Sequence, residues 1–177
     1  MSVVPFVVIL RGALGAGKAT VAPALAERLS ALRISLDDVL STHGLDQVEE
    51  ERIPLRNFVR ANALAMPAAR QALSDGRPVI FDGSFYYEEQ IDHLVDSLLQ
   101  TSDLEGPPII VTLSTRLEIY LVPEGEGEAP DKTEVATVVH DPALQAEAGA
   151  PVDAVERLVA QVLAALAPYL PVEMAEP

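Results

Sequence analysis

Residues 6–20, Phe-Val-Val-Ile-Leu-Arg-Gly-Ala-Leu-Gly-Ala-Gly-Lys-Ala-Thr, constrain this chain more than any other stretch. Val7 to Leu10 are consecutive apolar residues, the pattern of a strand buried on both faces of a parallel sheet. Beyond the glycines, Val21, Leu25, Ala26 and Leu29 recur at helical spacing. Between strand and helix, Gly12, four residues, Gly17 and Lys18 fit the phosphate-binding pattern G-x-x-x-x-G-K-S/T up to its last position. Glycines let successive backbone N–H groups turn inward around an anion. A helix beginning near Gly17 aims its first N–H groups and its positive dipole end at the same point. Lys18 adds a point charge for the β- and γ-phosphates. The candidate cradle is therefore Gly12, Ala13, Leu14, Gly15, Ala16, Gly17, Lys18, Ala19 and Thr20. The departure is Ala19, where the pattern asks for a hydroxyl to hold Mg²⁺. Thr20 offers one a residue later, about 100° further round the helix. That makes Thr20 a phosphate contact and only a weak metal ligand. A glycine-rich turn that binds nothing is the plain alternative.

The rest of the chain continues the alternation. Pro23 falls past the first turn of the first helix, where it removes a backbone donor at a cost of up to ~3 kcal/mol. Leu32 to Leu36 read as a second strand ending in Asp37-Asp38, and residues 43–54 as irregular. Leu55 to Leu73 predict a long helix with Phe58, Leu64 and Leu73 inward, Pro67 as a bend, and Arg56 and Arg60 on one face. Asp75-Gly76 stops it. Val79-Ile80-Phe81-Asp82 is a buried strand ending in a carboxylate, followed by the loop Gly83 to Tyr87. Glu88 to Leu99 is amphipathic, with Ile91, Leu94, Val95 and Leu98 on one side. Ile109 to Leu113 is the next strand, and Leu117 to Leu121 is read as a short helix. Residues 123–131 are acidic and loop-like, Thr133 to His140 are read as helical, and Leu144 to Ala148 as a weak last strand. Pro151-Val152-Asp153 opens a final amphipathic helix. These alternating elements predict an α/β fold, a three-layer α/β/α sandwich with a mostly parallel sheet. They predict one domain over residues 1–170 and a frayed tail at 171–177.

The chain has 177 residues, enough for one sizeable core, and no cysteine, which excludes disulfides and thiolate metal sites. No apolar run reaches membrane-spanning length, and no charged-plus-apolar leader precedes the first strand. The default expectation is a soluble cytoplasmic protein. Net charge is −15, with Lys18 and Lys132 as the only lysines against ten arginines. So acidic a surface disfavours nucleic acid and anionic membranes as partners.

The strand, the phosphate loop, Asp37-Asp38 and Val-Ile-Phe-Asp82, in that order, resemble the P-loop kinases. The nearest group is the small kinases of the polynucleotide-kinase and zeta-toxin type, also grouped as AAA-family ATPases. The resemblance covers about residues 3–122 and the final helix. It implies ATP and Mg²⁺ as cofactors and a small hydroxyl-bearing molecule as acceptor. It implies Lys18, Asp37 and Asp82 as the catalytic residues, with Lys18 as phosphate clamp. Asp37 would be general base beside the acceptor hydroxyl, and Asp82 would orient the metal's water shell. Ser84 takes the place of a small polar substrate contact, and Asp37, Arg56 and Arg60 complete the candidate substrate contacts.

Plainer roles stand beside these. Asp37-Asp38 suits a helix N-cap, Asp82 a turn before Gly83, Arg56 and Arg60 solvated helix charges, and Tyr86-Tyr87 loop packing. His43, His93 and His140 are isolated. Two features depart from the family: Ala19, and a segment 118–131 with no arginine or lysine. There the related kinases carry lid arginines; here Glu118, Glu124, Glu126, Glu128 and Asp131 stand instead. The first functional reading is thus an ATP-dependent phosphotransferase acting on a hydroxyl of a small substrate. The second is a nucleotide-binding module that binds ATP without efficient transfer. Acceptor, base preference and oligomeric state stay open.

Overall fold

Strand β1 (Val7–Gly12) lies inside a six-stranded sheet, paired in parallel with β3 (Val79–Asp82) on one side and β4 (Ile109–Leu113) on the other. The structure, a computed structural model, describes residues 5–12, 17–101, 104, 106–113, 116–121, 133–139 and 152–170, with backbone only for 116–121, 133–139 and 152–154. Strand β2 (Leu32–Ser35) forms the edge beyond β3, again parallel. The sheet order is β2-β3-β1-β4-β5-β6.

Alternating residues of β1 face opposite layers. Val8 and Leu10 join the core under α1 (Lys18–Arg28) and α5 (Val152–Leu166), with Val21, Leu25, Leu158 and Val162. Val7 and Ile9 join the core under α3 (Leu55–Ser74) and α4 (Glu88–Leu99), with Met66, Leu73, Ile91 and Leu94. Two apolar layers on one sheet make the expected three-layer sandwich. A smaller cluster, Leu40, Leu45, Phe58 and Ala61, packs α2 (Leu36–Thr42) against the start of α3.

Local chemistry explains most element ends. Ser35 caps α2, its Oγ accepting from the Asp38 N–H at 3.2 Å. The predicted second strand thus stops one residue early, and Leu36 starts a helix. Gly76 at φ +73° closes α3, its N–H donating to Leu73 O while Arg77 N–H donates to Ala72 O. Pro23 sits within α1 on its exposed face. The Ala19 carbonyl it cannot serve lies on an exposed residue as well. Leu64, expected inward, is 41% exposed, and small residues (Ala61, Ala65, Ala69) take the inner face of α3 instead.

Two predicted helices are strands. Leu117–Leu121 belongs to β5 (Arg116–Leu121), antiparallel to β4, and Thr133–His140 falls on β6 (Thr133–Val139), antiparallel to β5. The β5 segment Arg-Leu-Glu-Ile alternates polar and apolar residues, a period of two. In β6 the β-branched Thr133, Val135, Thr137, Val138 and Val139 lose rotamer freedom in a helix and fit a pleated strand. The sheet is therefore four parallel strands extended by an antiparallel pair. The expected strand at 144–148, His140, most of the acidic stretch and the tail at 171–177 lie outside the described residues.

Candidate active site

All four parallel strands end on the same side of the sheet, and the order turns around β1, the position where open α/β sheets bind ligands. Gly12 ends β1 at that edge. Its backbone lies so close to β4 that a Cβ there would meet Leu113 O at 2.4 Å. Ala13, Leu14, Gly15 and Ala16 lie outside the described residues. The chain returns at Gly17, whose φ of +89° is the left-handed turn that starts α1 with no side chain as cap. Lys18 follows, 8% exposed, its Nζ donating to Gly12 O at 2.6 Å across the loop. Burial lowers the Lys18 pKa, and the charges of Asp37 and Asp82 pull it back up. Ala19 and Thr20 are exposed.

Around Lys18 the structure gathers three of the predicted residues, Asp37, Asp82 and Ser84, and one that sequence reasoning missed. Asp37 stands in the first turn of α2, accepting from the Ser84 N–H at 3.4 Å on Oδ1 and from the Ser84 hydroxyl at 3.2 Å on Oδ2. It is not the N-cap; Ser35 is, which leaves the Asp37 carboxylate for the loop after β3. Asp82 ends β3 and is 5% exposed. Both its oxygens are taken by Arg33 of β2, with Nε to Oδ1 at 2.8 Å and Nη2 to Oδ2 at 3.0 Å. This is the two-pronged arginine–carboxylate geometry. Burial raises the Asp82 pKa, the hydrogen bonds and charge of Arg33 oppose that, and Asp37 and Asp38 add to the rise. The hydrogen bond to Asp82 in turn raises Arg33. The available signal for Arg33 was a lone cation inside a short strand.

The remaining predicted residues stand apart. Arg56, in the first turn of α3, pairs with Glu49, both exposed. Arg60 is exposed one turn on. Tyr87 packs on Phe58 and donates its hydroxyl to Ile53 O at 3.0 Å, while Tyr86 is 64% exposed. With Val48, Glu51, Arg52 and Ile53 these tyrosines line a cavity of about 480 Å³. His43 meets Val39 O at the end of α2. Among the described residues, no three His, Cys, Asp or Glu side chains are placed to hold a metal, and no helix is long and apolar enough to cross a membrane.

Four parallel strands ending together, with a buried lysine at the head of α1 and the carboxylates of Asp37 and Asp82 at the same edge, match a P-loop kinase fold. A family model for an AAA domain matches residues 7–121, and the chain belongs to that family. Among solved structures, a sugar kinase from Janibacter sp. aligns with a TM-score of 0.61 at 14% identity, covering 98% of this chain and 99% of its own. An APS kinase of Mycobacterium tuberculosis aligns at 0.54 and 15% identity, covering 92% and 96%. A hexameric APS kinase from Thiobacillus denitrificans aligns at 0.54 and 18% identity, covering 93% of this chain and 29% of that one. The chain likewise spans 58% of a Chloroflexus aurantiacus chain that it matches. At these identities the likeness is one of fold. No curated protein matches the sequence.

Kinases of this fold work on a nucleotide held together with a metal. The phosphate half of that requirement fits the residues present: a glycine at positive φ, a helix start and a buried lysine stand in succession at Gly17 and Lys18. The metal half does not. Ala19 has no side-chain donor, the Thr20 hydroxyl stands one residue on at an exposed position, and each oxygen of Asp82, the carboxylate expected to orient the metal's water shell, already accepts from Arg33.

Proposed function

We propose that the chain binds ATP at residues Gly12 to Thr20 and transfers its γ-phosphoryl group to a hydroxyl of a small molecule. The observation that carries this is the convergence of Lys18, Asp37 and Ser84 at the carboxyl edge of the sheet. Lys18 and the first N–H groups of α1 hold the phosphates and balance charge that develops as the γ-phosphoryl group leaves. Asp37, exposed and oriented by two hydrogen bonds from Ser84, accepts the acceptor's hydroxyl proton as that oxygen attacks. Ser84 fixes the carboxylate's direction and offers its hydroxyl to the acceptor. The cavity beside Tyr86 and Tyr87 gives the acceptor room, and Arg56 and Arg60, at the same end of α3, are its candidate charged contacts.

The second reading, a module that binds ATP without efficient transfer, is favoured by the Asp82–Arg33 pair and by Ala19. Both readings place the protein in the cytoplasm, without nucleic acid or membrane. ATP binding by calorimetry, and ADP release against a panel of polyols, sugars and nucleosides, tests them for the parent, Lys18→Ala and Asp37→Asn. Binding lost in Lys18→Ala and turnover lost in Asp37→Asn support transfer. Binding without turnover for every acceptor leaves the module. A parent that does not bind ATP sinks both.

A further inference from the structure

We propose that this site takes its nucleotide without a divalent metal, the Arg33 guanidinium, held by Asp82, serving as a second cation in addition to Lys18. The inference rests on the nucleotide binding proposed above and concerns what neutralises the phosphates. Three observations on different elements converge. Ala19, at the head of α1, cannot ligate a metal. Asp82, at the tip of β3, is buried and engaged by Arg33 through both oxygens, at 2.8 and 3.0 Å. Arg33, from β2, keeps 30% of its side chain exposed.

A metal or its water shell entering here would meet a carboxylate whose charge is already shared with Arg33 through two charge-assisted hydrogen bonds, and would find no side-chain hydroxyl at residue 19. Mg²⁺ demands near-ideal octahedral geometry and gives up its water reluctantly, so one contested carboxylate is a poor anchor. Arginine, by contrast, is always charged and carries five N–H donors, of which Asp82 uses two. The others are available to phosphate oxygens, which arginine matches in geometry. Asp82 then acts as a positioning residue that holds a cation built into the chain. The Asp38 charge also acts on this guanidinium and favours its charged form.

The test is ATP titration by calorimetry on the full chain in excess EDTA and in excess MgCl₂. We expect the two dissociation constants to agree within about threefold. Tightening by Mg²⁺ beyond that overturns the inference and leaves the proposed function standing. No ATP binding in either condition overturns both. Arg33→Met, with folding checked by circular dichroism, should lose about tenfold or more of the affinity in EDTA and regain part of it with Mg²⁺. Affinity equal to the parent in EDTA overturns the role of Arg33. Should Arg33→Met fail to fold, Arg33→Lys keeps the charge and loses the fork, and its EDTA affinity is expected to fall between the two. An Arg33→Lys affinity equal to the parent again overturns the role.

Discussion

Replacing Gly12 by alanine tests whether the phosphate loop is anchored by strand contact. An added Cβ would stand 2.4 Å from Leu113 O and 3.2 Å from Leu113 C and Cβ, where ordinary contact begins at 3.4 Å. Relief needs about 1 Å of separation between two backbones paired in the sheet interior, and neither is a side chain that can swing aside. Overpacking of this kind costs about 1–3 kcal/mol, and contact with the backbone carbonyl of Leu113 argues for the upper end. For a chain of this length 2–3 kcal/mol lowers the melting temperature by about 5–10 °C. The same displacement moves Gly12 O, which accepts from Lys18 Nζ at 2.6 Å, so ATP affinity falls as well. Gly44→Ala is the control. Gly44 has φ +63° and nothing within 4 Å of a Cβ, so its loss is conformational, about 1 kcal/mol, with ATP affinity unchanged. Urea denaturation and ATP calorimetry on both variants decide. A Gly12→Ala protein within about 0.5 kcal/mol of the parent, or no less stable than Gly44→Ala, refutes the argument.

Other outcomes follow from single contacts. Ser35→Ala removes the α2 cap and should cost about 1 kcal/mol in denaturant, with reduced turnover because the first turn carries Asp37. Glu156→Gln removes the exposed pair with Arg28 that links α5 to α1, and should change stability by less than about 0.5 kcal/mol in the same assay. The pH dependence of ATP affinity has a definite sign. Burial places the Lys18 pKa below the ordinary 10.5, and bound phosphate favours the charged form. Affinity is therefore full at low pH with respect to this group, and is lost as pH rises through the lowered value. Calorimetry in buffers of different ionisation heat should show proton uptake on ATP binding over that window, and Lys18→Arg should abolish it.

The first strand and the start of the first helix were legible because several local signals agreed there. A parallel strand buried on both faces must be continuously apolar, so Val7 to Leu10 declared β1. Glycines and a lysine between that run and a helical pattern admit few other structures. The strand-end carboxylate Asp82 was legible because it closes an apolar run, whereas Asp37, expected at a strand tip, lies in the first turn of α2. The β5–β6 pair was not, because a short run such as Leu117–Leu121 fits a helix turn as well as a strand, and only its pairing with β4 decides.

Arg33 was hidden for a different reason. Its partner is 49 positions away and reaches it only when β2 pairs with β3, with Ser35 opposite Asp82. Yet a cation between Leu32 and Ile34 in a four-residue strand must meet either water or a carboxylate, since burial of an unpaired charge is prohibitive. With β2 at the sheet edge and Asp82 closing its neighbour, the carboxylate takes it. This changes the meaning of Ala19. Read from the motif alone, a missing hydroxyl is a lost metal ligand and a damaged site. Beside an arginine that already occupies the metal's carboxylate, a hydroxyl at residue 19 would have no ion to hold, and the two departures become one consistent design. Ala19→Ser should then leave ATP affinity and its Mg²⁺ dependence unchanged, whereas the same substitution in an Arg33→Met background should make binding respond more strongly to Mg²⁺ than Arg33→Met alone does. A response of the single variant Ala19→Ser to Mg²⁺ would show that Asp82 gives up its arginine easily, and that the two departures are independent.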